Sequence, residues 1–578
     1  MKRRTFLKLA SLAGLTPKAA VAEVATDPDG ARVIVVGGGP AGITAALELQ
    51  SRGVDVLLLE AGGQLGGRVS GWTEELDGRP VDVEHGIHGW YGRYTAFTDL
   101  LERYGLDGAL NEPERISARW VESGSTLDGN SRAGRRGLRA MLRAQAKALG
   151  YPRVVPQLAK GTQWLRGLTP STARAALGGQ SVEAAQAAGG PLTVWRLMTE
   201  RVASGLFFST PDRIDASEWA LGEAFLGAGG DEVRWLRGNP QTLIWGPLAE
   251  AFTDRGGEIR LLSPVSEIVI EGGRAVGVRV GEPMPGVQTG ELQQGWTVLP
   301  REGHPPVYVH RDAERVRALS GRCTHEGCPV LLDEDEQGFS CTCHGGRFDL
   351  DGVPVEGPPK EPLEPLFVDF GADGVHVEGE APTEVLRADA IIVAVDAPAL
   401  ANMLGTLLPQ TQGLGGVRET VARFWMDKQP AGDTPTSLML MDEVQAVMAL
   451  LVHRLQDDAR AWAARTGGSV LEVQMAHVEE DHRESVLDGA EVVLRTAFPE
   501  LEGATTLKRT LTLGSKYTAF PPNWFDAALP VKTPIDGLMV AGDHVLTDRV
   551  CAGMERAVHT GQQAANAVLL QRGLPGLT

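Results

Sequence analysis

One stretch near the amino terminus restricts the fold more than any other. Residues 31–69 read ARVIVVGGGPAGITAALELQSRGVDVLLLEAGGQLGGRV. Residues 33–36 are a short, wholly apolar run, as expected of a parallel strand buried on both faces. The run leads into Gly37-x-Gly39-x-x-Gly42. Gly37 permits a tight turn, Gly39 lets the backbone approach a pyrophosphate, and Gly42 admits close helix–strand packing. The following helix presents its N-terminus to the phosphates. A second strand-like run, 54–59, apolar but for Asp55, ends at Glu60, placed to bind a ribose hydroxyl. Strand, glycine turn, helix, strand and acid at this spacing predict an α/β fold that binds a dinucleotide.

The cysteines restrict the chain a second time. There are five, and Cys323, Cys328, Cys341 and Cys343 fall in one short stretch, so they form a local site rather than a scattered disulfide framework. Cys323-x-His325 and Cys341-x-x-His344 offer two thiolates and two imidazoles. Two thiolates suit one ferric iron and two imidazoles suit the other. This is a Rieske [2Fe–2S] motif with Cys323, His325, Cys341 and His344 as ligands; a zinc ion held by the same four is the alternative. The motif resembles the respiratory-type subgroup, and that resemblance implies a disulfide between Cys328 and Cys343 bracing the ligand loops. It also implies that Pro358-Pro359 form a loop over the cluster. Where that subgroup has Ser and Tyr hydroxyls, this chain has Gly346 and Phe348. Fewer hydrogen bonds to the sulfurs predict a lower reduction potential. Cys551 is left without a role.

Further motifs carry a family resemblance. Gly66-Gly67-Arg68 follows soon after Glu60 and resembles the FAD-binding signature of the flavin amine oxidase superfamily; an Arg common three residues before the second Gly is Gln64 here. Residues 535–566 contain a strand-like run ending at Gly542-Asp543, then a helix beginning near Ala552. The resemblance implies that Asp543, Gly553 and Met554 lie at the flavin, with the helix N-terminus stabilising its reduced, anionic form. Val265 begins what resembles an adenine-side strand. Glu84-His85-Gly86-Ile87-His88-Gly89 with Tyr94 resembles plant-type carotenoid desaturases. So do Arg423-Phe424-Trp425-Met426-Asp427, and Phe520-Pro521-Pro522 leading to Lys532-Thr533-Pro534-Ile535. The loop Gly542-Asp543-His544-Val545 with Met554-Glu555-Arg556-Ala557 looks most like the branch that makes aromatic carotenoid end rings. Catalytic candidates are His88 first and His85 second, as polar groups near the flavin. Lys516 and Tyr517 are weaker ones.

These motifs predict a Rossmann-like FAD-binding domain from 31–115, 236–282, 386–412 and 532–572. A mixed α+β substrate domain would come from 116–235 and 413–531, and an inserted all-β Rieske domain from 283–385. Residues 1–22 combine Arg3-Arg4, a short apolar run and Ala20-Val21-Ala22, which resembles a twin-arginine signal peptide and predicts a periplasmic or outer-face location. A cytoplasmic, membrane-peripheral protein is the alternative. The formal net charge of −19 disfavours nucleic-acid binding. Within this acidic chain, residues 129–182 hold ten Lys or Arg and no acid, interleaved with apolar residues. That reads as a peripheral contact with an anionic membrane. The resemblance implies desaturation of a carotenoid or similar polyisoprenoid. Electrons would pass from FAD through the [2Fe–2S] cluster to a quinone or redox protein. An amine oxidase using oxygen on a soluble amine is the second expectation, and a non-catalytic electron carrier the third.

Overall fold

The structure, a computed structural model, describes residues 32–577 apart from 77, 85, 122–124, 133–135, 137–159, 162, 190, 191, 193–204, 229–231, 282–285, 288–294, 302, 303, 312–315, 326, 327, 334–337, 342, 372, 373, 379–381, 442–445, 477 and 479–482. The expectations placed on residues 1–22, on His85 and on half of the basic, acid-free stretch 129–182 therefore lie outside the described residues.

The apolar runs at 33–36 and 54–59 become neighbours in a five-stranded sheet. Its order is Glu258–Arg260, Asp55–Leu59, Arg32–Val36, Ala390–Val393, Leu538–Val540, and every pairing is parallel. Alternate side chains feed two different cores. Val33, Val35, Val56, Leu58 and Ile392 enter one, and Ile34, Val36, Leu57, Leu59 and Ile391 the other. Burial on both faces is why these strands contain no polar alternation. Each such side chain contributes about 1.5–3 kcal/mol relative to exposure. The helix Pro40–Gln50 starts directly after Gly39, with Pro at its first turn, and is buried on nearly all sides. It packs against the helix Gly553–Gln571. A Cβ on Gly561 would stand 2.3 Å from the Ala41 carbonyl oxygen, so only glycine allows that approach.

A second layer is a seven-stranded sheet, ordered Thr506–Thr518, Gly416–Met426, Ser469–Ala476, Ala446–Leu450, Ser437–Leu440, Ser117–Arg119, Thr126–Leu127. The helix Arg483–Ala497 packs on one face of it through Val486, Leu487, Ala490 and Leu494. An antiparallel trio, Val265–Glu271, Arg274–Gly281 and Pro382–Arg387, stands beside the parallel sheet. At its far end Gly281 N–H donates to the Pro264 carbonyl at 2.6 Å, and Ser263 N–H to the Glu60 carbonyl at 2.8 Å. The Rieske segment leaves and returns there, at the ribose end of the dinucleotide motif.

That segment is made mostly of strands. A six-stranded sheet runs Gly286–Val287, Gly374–Glu378, Pro365–Gly371, Val316–Ser320, His304–Arg311, Gly295–Arg301. A four-stranded sheet runs Val330–Leu332, Phe339–Cys341, Arg347–Phe348, Pro354–Glu356. It has its own apolar clusters, one around Val307, Val309 and Leu366, the other around Tyr308, Phe339, Phe348 and Leu363. Tyr308 joins the sheets, because its hydroxyl donates to the Val330 carbonyl at 2.7 Å and accepts from Leu332 N–H at 3.1 Å. No helix among the described residues is long and apolar enough to cross a membrane.

Candidate flavin site and iron–sulfur centre

The glycine turn has the geometry a pyrophosphate needs. Gly37 sits at φ +101°, and a Cβ there would meet the Ala394 carbonyl oxygen at 2.5 Å. A Cβ on Gly42 would be 1.8 Å from the Gly37 carbonyl oxygen, so the helix could not approach the strand with any side chain there. A Cβ on Gly39 would meet nothing within 4 Å, which leaves room beside the helix N-terminus. Gly66 and Gly67 both have positive φ, and Gly66 N–H donates to the Gly38 carbonyl at 2.9 Å. Gly67 is exposed beside Gly39, so the two loops flank one opening. Glu60 accepts from Gly38 N–H at 2.6 Å and Gly62 N–H at 2.7 Å, which fixes its carboxylate at the strand end. Val265 is half-buried just past the Ser263–Glu60 contact. These residues fit the pyrophosphate and ribose of FAD.

At the other end of the opening, Arg68 reaches Asp543 at 2.7 Å and lies over the Tyr517 ring at 5.3 Å. Thr518 also donates to Asp543, at 2.8 Å. Burial works against the Asp543 carboxylate, but Arg68 and His544 outweigh it and hold its pKa well below the usual range. Gly542 N–H donates to Thr560 at 2.9 Å, which ties the loop to the last helix. Gly553 at φ +51° opens that helix, and Met554 follows it, half-buried. Glu555 turns away to accept from Ala96 and Phe97 N–H at 2.8 and 3.0 Å, capping the helix Thr95–Arg103. Cys551 is buried, its thiol 3.5 Å from the Arg549 carbonyl, and burial pushes its pKa up to about 11. It is a protonated thiol of the core.

Aromatic rings line the region between the two layers. Tyr94 meets Phe225 at 5.6 Å, Phe208 meets Tyr517 at 4.7 Å and Phe207 meets Phe520 at 5.8 Å. A small cavity of about 10 Å³ lies among Phe207, Tyr517, Phe520, Asp543 and Gly553. The side chain of Lys516 lies outside the described residues.

His88 stands at the end of a buried polar network. Its Nδ1 is 3.0 Å from a Glu84 oxygen, and burial lowers its pKa to about 4, so the ring is neutral at pH 7. Burial raises Glu84 well above the usual carboxylate range. Gln456 donates to the second Glu84 oxygen. Arg423 is the hub. It donates to Glu472 at 2.7 and 3.1 Å, to Gln456 at 3.3 Å and to the Asp82 carbonyl at 3.1 Å. Glu472 accepts in turn from Ile87 N–H at 2.8 Å. Two buried carboxylates thus share one guanidinium. Glu419, at the edge, is pushed by burial up to about 8. The network pins the 79–89 segment to the seven-stranded sheet and fixes the His88 ring.

Arg556 does the same for the last helix. It pairs with Glu218, donates to the Asp543 and Cys551 carbonyls at 3.1 and 2.8 Å, and lies over Phe520. Glu218, Glu472, Gln456 and Thr518 were not singled out from sequence. A usable signal existed for Glu472, an acid in the run VLEVQMA, apolar apart from it and Gln474, where burial demands a partner. Glu218 and Gln456 carry no such signal.

In the iron–sulfur segment the two ligand loops come together. Cys323 and Cys341 are buried, at 3% and 6% exposure, whereas His325 and His344 are exposed. The imidazole rings lie 5.1 Å apart and nearly perpendicular. Thiolates beneath and imidazoles at the surface fit a two-iron cluster. Cys328 and Cys343 form a disulfide, with Cα atoms 6.2 Å apart. Cys323 N–H donates to the Cys328 carbonyl, and Cys341 N–H to the Gly346 carbonyl, so each loop is closed on itself. A Cβ on Gly346 would be 2.6 Å from Pro359, which explains the glycine where a serine was the family expectation. Phe348 is buried in the apolar cluster.

Comparison with known proteins agrees with this geometry. Residues 40–286 and 367–569 match the family of flavin containing amine oxidoreductases, and residues 283–367 match the Rieske [2Fe–2S] domain. A carotenoid phi-ring synthase of Chlorobaculum tepidum is 28% identical, covering 96% of this chain and 90% of that protein. Another, from Streptomyces griseus, is 28% identical over 95% and 90%. An oxidoreductase from Methanosarcina mazei superposes with a TM-score of 0.56 at 13% identity, covering 92% of this chain and 99% of that one. The matched segments, the glycine cradle and the paired Cys–His loops lead to one assignment: the chain belongs to the flavin containing amine oxidoreductase family, as an FAD-dependent oxidoreductase carrying a Rieske [2Fe–2S] domain.

Proposed function

We propose that this oxidoreductase desaturates a carotenoid or a similar polyisoprenoid lipid and hands the electrons to a quinone or a redox protein. The observation that carries the reading is the likeness over nearly the whole chain, flavin and Rieske segments together, to two carotenoid phi-ring synthases. When bound, FAD supplies a hydride acceptor and the cluster a one-electron carrier. The residues supply the rest. Tyr94, Phe207, Phe208, Phe225 and Phe520 offer apolar, aromatic walls suited to a polyene. His88, neutral at pH 7 and oriented by Glu84, is a polar group that fixes the geometry of this end of the site, and the proton lost from the neighbouring carbon passes to solvent. The exposed edges of His325 and His344 are where an electron acceptor would touch the iron–sulfur segment.

The export signal at 1–22 and membrane contact through 129–182 belong to the same reading, with the substrate drawn from a bilayer. The test is anaerobic mixing of the holoprotein with candidate carotenoids in liposomes, with flavin followed by absorbance and the cluster by EPR. Bleaching of the flavin and reduction of the cluster are expected. Flavin bleaching with an oxidised cluster would remove the relay. Peroxide release from soluble amines, with no reaction of carotenoids, would replace the reading with an amine oxidase.

A further inference from the structure

The negative charge of this protein is concentrated around the iron–sulfur ligands. Residues 322–364 carry both ligand loops and the four-stranded sheet. They hold ten Asp or Glu against only Arg322, Arg347 and Lys360, a net −7. Over 283–385 there are nineteen acids against seven Lys or Arg, a net −12 of the whole chain's −19. Two of the ten acids are paired, Asp351 with Arg317 from the neighbouring sheet and Asp333 with Arg347, and the excess falls on the others.

The acids reach the ligand edge itself. Thr324, one residue before His325, donates to the Glu361 carbonyl at 2.7 Å. On the other loop, Pro359 packs on Gly346, and a Cβ on Gly357 would be 2.8 Å from the Gly346 Cα. The segment 356–361 therefore runs between the two ligand loops. Glu356 and Glu361 are exposed at its ends, with Glu364 just beyond and Lys360 as the cation of that rim. The exposed imidazoles thus stand beside a rim that carries the exposed carboxylates Glu356, Glu361 and Glu364, within a segment whose acids outnumber its bases by seven.

From this we infer that the iron–sulfur segment docks a water-soluble, one-electron redox protein through a basic face on that partner. The inference rests on the reading that electrons leave through the cluster. It decides between the two acceptors that reading allows. A segment with a net −7 around the ligands is repelled by an anionic bilayer, at about 1 kcal/mol for each charge near the surface, which works against collecting a membrane quinone. The same charge attracts a basic protein, raises its encounter rate and orients it. Each encounter moves one electron from the reduced cluster to the partner's oxidised centre. No bond is made or broken, and two encounters clear the pair of electrons from one desaturation.

The test uses the holoprotein with its cluster reduced by dithionite and the excess removed, so that no lipid substrate is involved. Re-oxidation is followed by stopped flow with three oxidants: a basic c-type cytochrome, an acidic blue-copper protein of matched potential, and a short-chain quinone in vesicles containing anionic lipid. The cytochrome should react fastest, and its rate should fall about tenfold as ionic strength rises from about 0.01 to about 0.1 M, where the screening length shortens from about 30 to about 10 Å. The triple variant Glu356→Gln, Glu361→Gln, Glu364→Gln should keep the cluster's EPR spectrum. It should lose about tenfold in rate at low salt and flatten the salt curve. A salt-independent rate, faster reaction with the acidic protein or the vesicle quinone, or an unchanged triple variant would each overturn the inference. Failure of all three oxidants would remove the electron-exit reading as well. Failure of carotenoids to reduce the flavin would leave this result standing.

Discussion

Replacing Arg423 by Met tests whether the buried polar network is held by charge. Arg423 is 2% exposed and Glu472 is fully buried. Without the guanidinium, Glu472 must take a proton or carry an unpaired charge, and the second option costs more. Protonating a carboxyl of ordinary pKa about 4.3 at pH 7 costs about 3.7 kcal/mol, from about 1.4 kcal/mol per pH unit. That agrees with the roughly 3–5 kcal/mol for breaking a buried pair. The sign follows from burial of a carboxyl left without its cation in the variant, which favours the protonated form in the folded state. The variant keeps its stability below about pH 4.3 and loses it as pH rises towards the new folded pKa. The deficit should therefore grow by about 1.4 kcal/mol for each pH unit from 6 to 8. Unfolding followed by flavin release at several pH values measures it. In the double variant Arg423→Met, Glu472→Gln one of the two carboxyls that face the guanidinium is gone, and the slope should fall to what Glu84 alone contributes. A deficit that does not change with pH, or a slope as steep in the double variant as in the single one, refutes the reasoning.

Three other outcomes are expected. Protein-film voltammetry should place the cluster potential in the lower half of the range of about −150 to +300 mV, because Gly346 and Phe348 bring no hydroxyl to it; a value near the top would sink that account. Cys328→Ser should lower the stability of the iron–sulfur segment by about 3 kcal/mol, as expected for opening a loop of fifteen residues. Its EPR signal should then be lost at a lower temperature than in the parent, and equal loss temperatures would contradict this. Glu419, pushed up to about 8 by burial, contributes stability that is present below the ordinary carboxyl pKa and lost as pH rises through 8. Glu419→Gln should thus lessen the fall in melting temperature between pH 7 and pH 9, and an identical fall would show the carboxyl is already ionised.

The parts of this molecule that could be read from the sequence are those where one local demand dominates. Gly37, Gly39 and Gly42 are set by backbone approach, and runs 33–36 and 54–59 by burial on both faces. Both leave an unmistakable pattern over a few residues. The ligand loops are equally plain, because thiolate and imidazole at fixed spacing have few other uses. The network around Arg423 was only half visible. Glu84, Arg423 and Glu472 lie far apart in the chain and meet because the Gly416–Met426 and Ser469–Ala476 strands pair with Arg423 opposite Glu472. Cross-strand register is a property of the whole sheet, not of any short segment. Glu218 meeting Arg556 depends in the same way on how two distant helices cross.

The hairpin that carries the iron–sulfur segment has an evolutionary consequence. Gly281 and Pro382 are partners on adjacent antiparallel strands, so the hundred residues between them begin and end on a single rung. A chain that passed from one to the other through a tight turn would keep every strand of the flavin layer. The oxidoreductase could therefore gain, lose or exchange its iron–sulfur domain in one genetic event, with the flavin layer left intact.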